Sequence, residues 1–183
     1  MKKMKKNKTH LGSLIGRVFL ISSSTSTENW NGQNDDISQP SDYESLENFV
    51  SFNEGDLTSY IKSKNSIFYI YFAISNKVEL FTIENGIIIC DGLFFNKSWD
   101  YNKELEFRLT KQINLNFDVK EEKFYLFDAG LSSDFIFNNL ENEINKSIIP
   151  IKLHLGKYKV YQVETTLLIE DQEVIVKGVQ IAF

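Results

Sequence analysis

The sequence predicts an α+β fold: a single domain, mostly antiparallel β-sheet, with one or two helices. Three observations carry this. Alanine, the best helix former, occupies only three of 183 positions (Ala73, Ala129 and Ala182), whereas there are 15 phenylalanines and eight tyrosines, and isoleucine is plentiful; aromatic and β-branched residues favour strands. Short apolar or alternating runs recur between Gly, Asn and Asp turn signals. The length suits one domain, and a chain of this size buries about 70% of the surface its unfolded form exposes, so it needs no metal or disulfide staple.

Residues 1–12 are expected to form a basic, disordered tail, and 13–183 the single domain. The chain opens with five lysines in its first eight residues, then the apolar stretch Leu11 to Ile21. This imitates a signal peptide, but Arg17 interrupts the apolar segment and no small-residue cleavage site of the usual kind follows. The protein is therefore expected in the cytoplasm. No run of 18 apolar residues occurs that could span a membrane.

Arg17 to Ser22 reads as the first strand. Residues 23–66 are polar, with Gly32 and Pro40 as breakers, and a short helix is expected to start near Ser41 or Asp42 because Tyr43, Leu46, Phe49 and Val50 recur at helical spacing. Ser66 to Ile74 is rich in aromatic and β-branched residues and predicts a central strand, with Ile67 to Ile74 mostly buried on both faces and Phe72 in the core. Asn76 supplies a turn into a strand over Lys77 to Ile83. Asn85-Gly86 predicts a hairpin with positive φ at both residues, returning as a strand from Gly86 to Phe95. These three strands are expected to form one antiparallel meander.

Residues 98–113 satisfy two patterns. Tyr101, Leu105, Leu109 and Ile113 fall four apart, and Glu104 and Arg108 make an i,i+4 pair, so a helix capped by Ser98 is predicted. Leu105, Phe107 and Leu109 also alternate as a strand would. Leu115, Phe117 and Val119 then alternate, and Lys123 to Asp128 is a further strand. A polar loop from Gly130 to Ser147 is expected to hold a helical turn around Asn138 to Asn145. Three strands finish the chain: Ile148 to Leu155, Lys157 to Leu168 and Glu173 to Phe183.

Composition thins out the chemistry. One cysteine, Cys90, excludes an intramolecular disulfide and a cysteine-based zinc site, and its apolar setting reads as a small buried hydrophobe. The two histidines, His10 and His154, lie far apart in sequence, and no HExxH, GxSxG, GxxxxGK[ST] or GxGxxG occurs. His154 reads as a solvated strand face. Asp128 reads as a turn cap at a strand end, with no second carboxylate placed beside it by spacing. No enzyme, no metal and no cofactor is expected.

The net charge of −5 is unevenly spread. From Val18 to Ile61 there are eight carboxylates and no Lys or Arg. Such a stretch can be merely a solvated loop, but aromatic residues lie within it. Trp30 and Tyr43 are either core pieces of the small helix or anchors on a contact surface, since aromatics anchor and charges steer. The candidate partner-binding residues are Trp30, Asp35, Asp36, Asp42, Tyr43, Glu44 and Glu47. Asp134, Glu141 and Glu143 of the later polar loop are the next candidates. The negative field argues against nucleic acid as a partner.

Several patterns read in order resemble the immunity protein 21 family, bacterial antidotes encoded beside polymorphic toxins. They are Gly16 with Val18-Phe19-Leu20-Ile21, Trp30-Asn31-Gly32, Asp42-Tyr43, Asn85-Gly86 with its isoleucines, Leu126-Phe127-Asp128-Ala129, and Leu153-His154-Leu155-Gly156-Lys157-Tyr158-Lys159-Val160. Ile15 stands where a second glycine would be expected, and Lys97 where an acidic residue is usual. The resemblance implies a cytoplasmic protein without catalytic residues that neutralises a cognate toxin domain by binding. A basic nuclease would suit the charge. The alternative is a β-rich module that binds a small molecule or carbohydrate without catalysis.

Overall fold

The structure is a computed structural model and describes residues 8–33, 41–46, 58–63, 66–73, 75–92, 106–140, 147–169 and 171–183. It bears out the α+β class, mostly antiparallel sheet. Its strands are β1 (Lys8–Ile15), β2 (Val18–Ser23), β3 (Thr58–Ser63), β4 (Ser66–Phe72), β5 (Lys77–Ile83), β6 (Gly86–Asp91), β7 (Arg108–Val119), β8 (Lys123–Asp128), β9 (Ile148–Lys152), β10 (Gly156–Ile169) and β11 (Gln172–Ala182). The helices are α1 (Ser24–Thr27), a turn over 42–46 and α2 (Ser133–Asn139).

Two antiparallel sheets form, in the strand orders β1-β5-β6-β11-β10-β7 and β3-β4-β2-β8-β9. One apolar core lies between them, joining Phe19, Tyr71 and Leu126 of the smaller sheet to Leu80, Ile89 and Val179 of the larger. The outer face of the smaller sheet carries a second core, in which Leu20, Ile70 and Phe127 meet Trp30, Leu46 and Ile136 from the helical segments. This explains the unbroken apolar runs in β2, β4 and β8. Each strand has one face toward the opposite sheet and the other toward the helices, so neither face has room for polar alternation. The Tyr69 hydroxyl ties the sheets together at one side: it donates to the Asn116 carbonyl (3.0 Å) and accepts from the Asp118 N–H (3.2 Å).

The order of the strands departs from expectation in several places. The supposed tail is a strand from Lys8 onward, paired antiparallel with β5, and the strand expected at Arg17 is the second, β2. The expected meander is split. β5 and β6 form a hairpin in the larger sheet, while β4 lies in the smaller one between β3 and β2. β4 is thus one strand in from an edge, Ile67 is exposed and Phe72 is only half-buried. The hairpin loop is Glu84-Asn85, because Ile83 pairs with Gly86. Gly86 is needed for a different reason than the turn: a Cβ there would sit 1.9 Å from the Ile181 carbonyl oxygen of β11.

The predicted helix at 98–113 is overturned where it can be compared. Residues 108–113 belong to β7, and 98–105 lie outside the described residues. Ile113 pairs with Val160 and Leu109 with Val163 of β10, so cross-strand packing outweighs a helical spacing that was only one of two patterns. Arg108 pairs with Glu164 of β10. The second helix comes earlier than expected. It occupies Ser133–Asn139, with the Ser132 hydroxyl accepting from the Phe135 N–H at 3.3 Å. The last three strands fall where predicted, except that β9 ends at Lys152.

Candidate functional site

The helical layer gathers most of the described candidate residues. Three segments, 24–33, 41–46 and 129–140, cover the outer face of the smaller sheet and are tied together by backbone. The Ser133 N–H donates to the Trp30 carbonyl (2.9 Å), the Gln33 N–H to the Gly130 carbonyl (3.1 Å), and the Tyr43 N–H to the Gly32 carbonyl (3.3 Å). Gly32 has φ +64, and a Cβ on it would lie 2.6 Å from the Leu131–Ser132 backbone, so both its conformation and its closeness call for glycine. The Trp-x-Gly pattern is therefore a packing device.

Trp30 is fully buried. Its indole N–H donates to the Ala129 carbonyl at 3.0 Å and its ring lies 4.9 Å from that of Phe68. This corrects its reading as a surface anchor: an indole that reaches two apolar walls and a carbonyl acceptor is a core residue. Tyr43 is half-buried against the same core.

The helical turn over 42–46 begins as expected. Ser41 is its N-cap, with its hydroxyl accepting from the Glu44 N–H (3.1 Å) while the Glu44 carboxylate accepts from the Ser41 N–H (3.0 Å). This reciprocal pair is a capping box. Ser41→Ala is expected to cost about 1 kcal/mol of stability, read as a lower urea midpoint with unchanged slope. Asp42 is half-buried and accepts the Asn31 N–H at 3.0 Å. Two candidate carboxylates thus also hold the layer together.

Asp134 is exposed in the first turn of α2, next to Phe135, an aromatic that is 37% exposed. The expectation from sequence did not single out Phe135. The signal was there: Ile136, Phe137 and Leu140 form the helix stripe that packs on the sheet, and Phe135 falls off that stripe. Across 24–33, 41–46 and 129–140 the charged side chains are Glu28, Asp42, Glu44 and Asp134, with no Lys or Arg. Asp35, Asp36, Glu47, Glu141 and Glu143 lie outside the described residues.

The other candidates stand apart from this layer. Cys90 is buried on the outer face of the larger sheet, near Phe81 and Ile88. His154 is exposed, and its backbone N–H and carbonyl are bracketed by the Tyr158 hydroxyl at 3.1 and 3.0 Å. Asp128 caps its turn as expected, accepting the Gly130 N–H at 2.8 Å. Its other oxygen lies against Gly16, where a Cβ would stand 1.8 Å away. Burial pushes its carboxyl above the usual range, opposed by the Gly130 hydrogen bond.

A carboxyl raised in the folded state favours folding when protonated, and that contribution is lost as pH rises through the raised value. Asp128→Asn keeps the acceptor without the charge. It is expected to raise the melting temperature at neutral pH, with the gain shrinking as the pH falls into the acid range. Paired melts at neutral and acid pH check this.

Among the described residues no three His, Cys, Asp or Glu side chains gather to hold a metal ion, and no helix is long and apolar enough to cross a membrane. An open groove of about 410 Å³ lies at the β8–β9 end of the smaller sheet, lined among others by Phe124, Tyr125, Leu140 and Pro150. No family model, curated protein or solved structure matches the chain.

Proposed function

We propose that the chain is a non-catalytic cytoplasmic antidote that neutralises a cognate bacterial toxin domain by direct contact through its helical layer. The observation that carries this reading is the charge of the layer: four carboxylates and no cation on segments that pack into one surface, with Phe135 exposed beside Asp134. Carboxylates around an exposed aromatic suit a basic protein partner, since charge steers the encounter and the aromatic is desolvated in the contact. The patterns that resemble the immunity protein 21 family agree with the same reading. Trp30 to Gly32 and Asp42-Tyr43, distant in sequence, meet in this layer.

The test is co-expression with the protein encoded directly upstream. The antidote reading expects the two to co-purify and the cells to survive only when the chain is present. An absence of complex and of protection sinks it. The groove at the β8–β9 end favours a second reading, a small-molecule or carbohydrate module. That reading expects ligand binding to be lost in Tyr125→Ala and no toxic neighbour.

A further inference from the structure

β1 is attached to the larger sheet by polar contacts more than by apolar burial. Among the described residues it is an edge strand, paired with β5. Of its described side chains Leu14 alone is fully buried, while Leu11 is 41% and Ile15 82% exposed. Gly12 adds no side chain, and the pairing is irregular between His10 and Gly12. In β6, by contrast, every residue from Ile87 to Asp91 is buried.

The strong contacts of β1 converge on Glu79 of β5. This carboxylate is fully buried, and one oxygen receives the His10 Nε2 (2.7 Å) and the Ser13 hydroxyl (2.5 Å). Lys77 Nζ lies 2.8 Å from the other oxygen, at ion-pair distance but outside hydrogen-bond geometry. The His10 ring also leans on Phe81, with centroids 5.1 Å apart. Two of the groups that satisfy the buried charge thus come from β1 itself.

A buried carboxylate is costly without donors and comfortable in water. Departure of β1 exchanges its donors for water at Glu79, while β5 stays paired with β6 and β6 with β11. A strand held by apolar side chains has no such substitute. The connection also allows the motion. Gly16 and Arg17 carry the chain from one sheet to the other, and both are anchored: the Gly16 N–H donates to the Asn76 carbonyl (3.0 Å) and the Arg17 carbonyl accepts from the Ala73 N–H (2.9 Å). β1 can swing about this point without pulling on β2.

We infer that β1 is a latch strand, hinged at Gly16 and held by the His10–Ser13–Glu79 hydrogen bonds, that opens separately from the rest of the sheets. Opening bares the β5 edge, a row of backbone groups able to pair with another strand. This inference does not depend on the toxin reading.

Peptide-resolved hydrogen exchange on the full chain tests it. In the unmodified protein the β1 amides are expected to exchange at least about 100-fold faster than those of β6 and β11, as a sub-global opening does. His10→Ala with Ser13→Ala should speed β1 by about tenfold, together with the β5 amides that face it; β6 and β11, which open only with the whole fold, should speed by no more than that factor and keep their lag behind β1. His10→Gln, whose amide nitrogen can donate to Glu79, should restore most of the protection. Exchange of β1, β6 and β11 at one common rate overturns the inference, as does a double variant that leaves the exchange of β1 unchanged. Should the double variant fail to fold, the comparison within the unmodified protein and the His10→Gln result decide.

Discussion

Trp30→Ala is expected to destabilise the free protein by about 3–5 kcal/mol, the usual range for emptying a buried aromatic site. The indole is fully enclosed and stands where segments 24–33 and 129–140 meet over Phe68. Its loss leaves a cavity between the smaller sheet and the helical layer and strips the Ala129 carbonyl of its donor. An orphaned buried acceptor adds to the cavity cost. Trp30→Phe should cost less, because it refills much of the space and forfeits mainly the hydrogen bond. Urea denaturation of both variants checks the order. On the proposed antidote reading, binding gives a separate readout: toxin captured by the folded fraction of Trp30→Ala, at low temperature, should dissociate at close to the normal rate. A stability loss below about 1 kcal/mol together with fast dissociation would return Trp30 to the surface and make it the anchor.

The strands were legible because their composition leaves little choice. Phe68 to Tyr71 and Ile87 to Cys90 are apolar throughout, and each is buried on both faces of its sheet. Which sheet a strand joins was not legible. Phe19 pairs with Tyr71 on one side and Asp128 on the other, contacts more than 50 and 100 positions distant, which no local pattern encodes. The stretch at 98–113 offered helical and alternating spacing at once, and the partner strand β10 decided between them where the two can be compared. β1 was hidden for a different reason. Of its described side chains only Leu14 is buried, so its pattern is nearly silent, and the lysines before it suggested a tail. In the helical layer the acidic character and the Ser41 start were readable. The division of aromatics into a buried Trp30 and an exposed Phe135 was not, because it depends on how three separate segments stack.

On the proposed antidote reading, removing the charge of the helical layer is expected to slow association with the toxin by about 10–100-fold at low salt. The design must spare the structural roles of two of the carboxylates. Asp42 accepts the Asn31 N–H and Glu44 closes the capping box, so Asp42→Asn and Glu44→Gln remove their charge and keep an acceptor. Glu28 and Asp134 are exposed, and reversal to lysine is suitable there. Together the four changes shift the layer from net negative to slightly positive with little expected change in melting temperature. Steering acts through a field screened over about 8 Å at physiological salt, so the rate difference should narrow as salt rises, while dissociation stays nearly constant. Phe135→Ala should do the reverse, leaving association intact and speeding dissociation by about 30-fold if the ring is desolvated in the complex, the scale of a typical hot spot. A charge effect confined to the association rate and an aromatic effect confined to dissociation would together place the toxin on this layer. An unchanged association rate in a well-folded quadruple variant would take the contact elsewhere, because no partner steered by these carboxylates could ignore their loss.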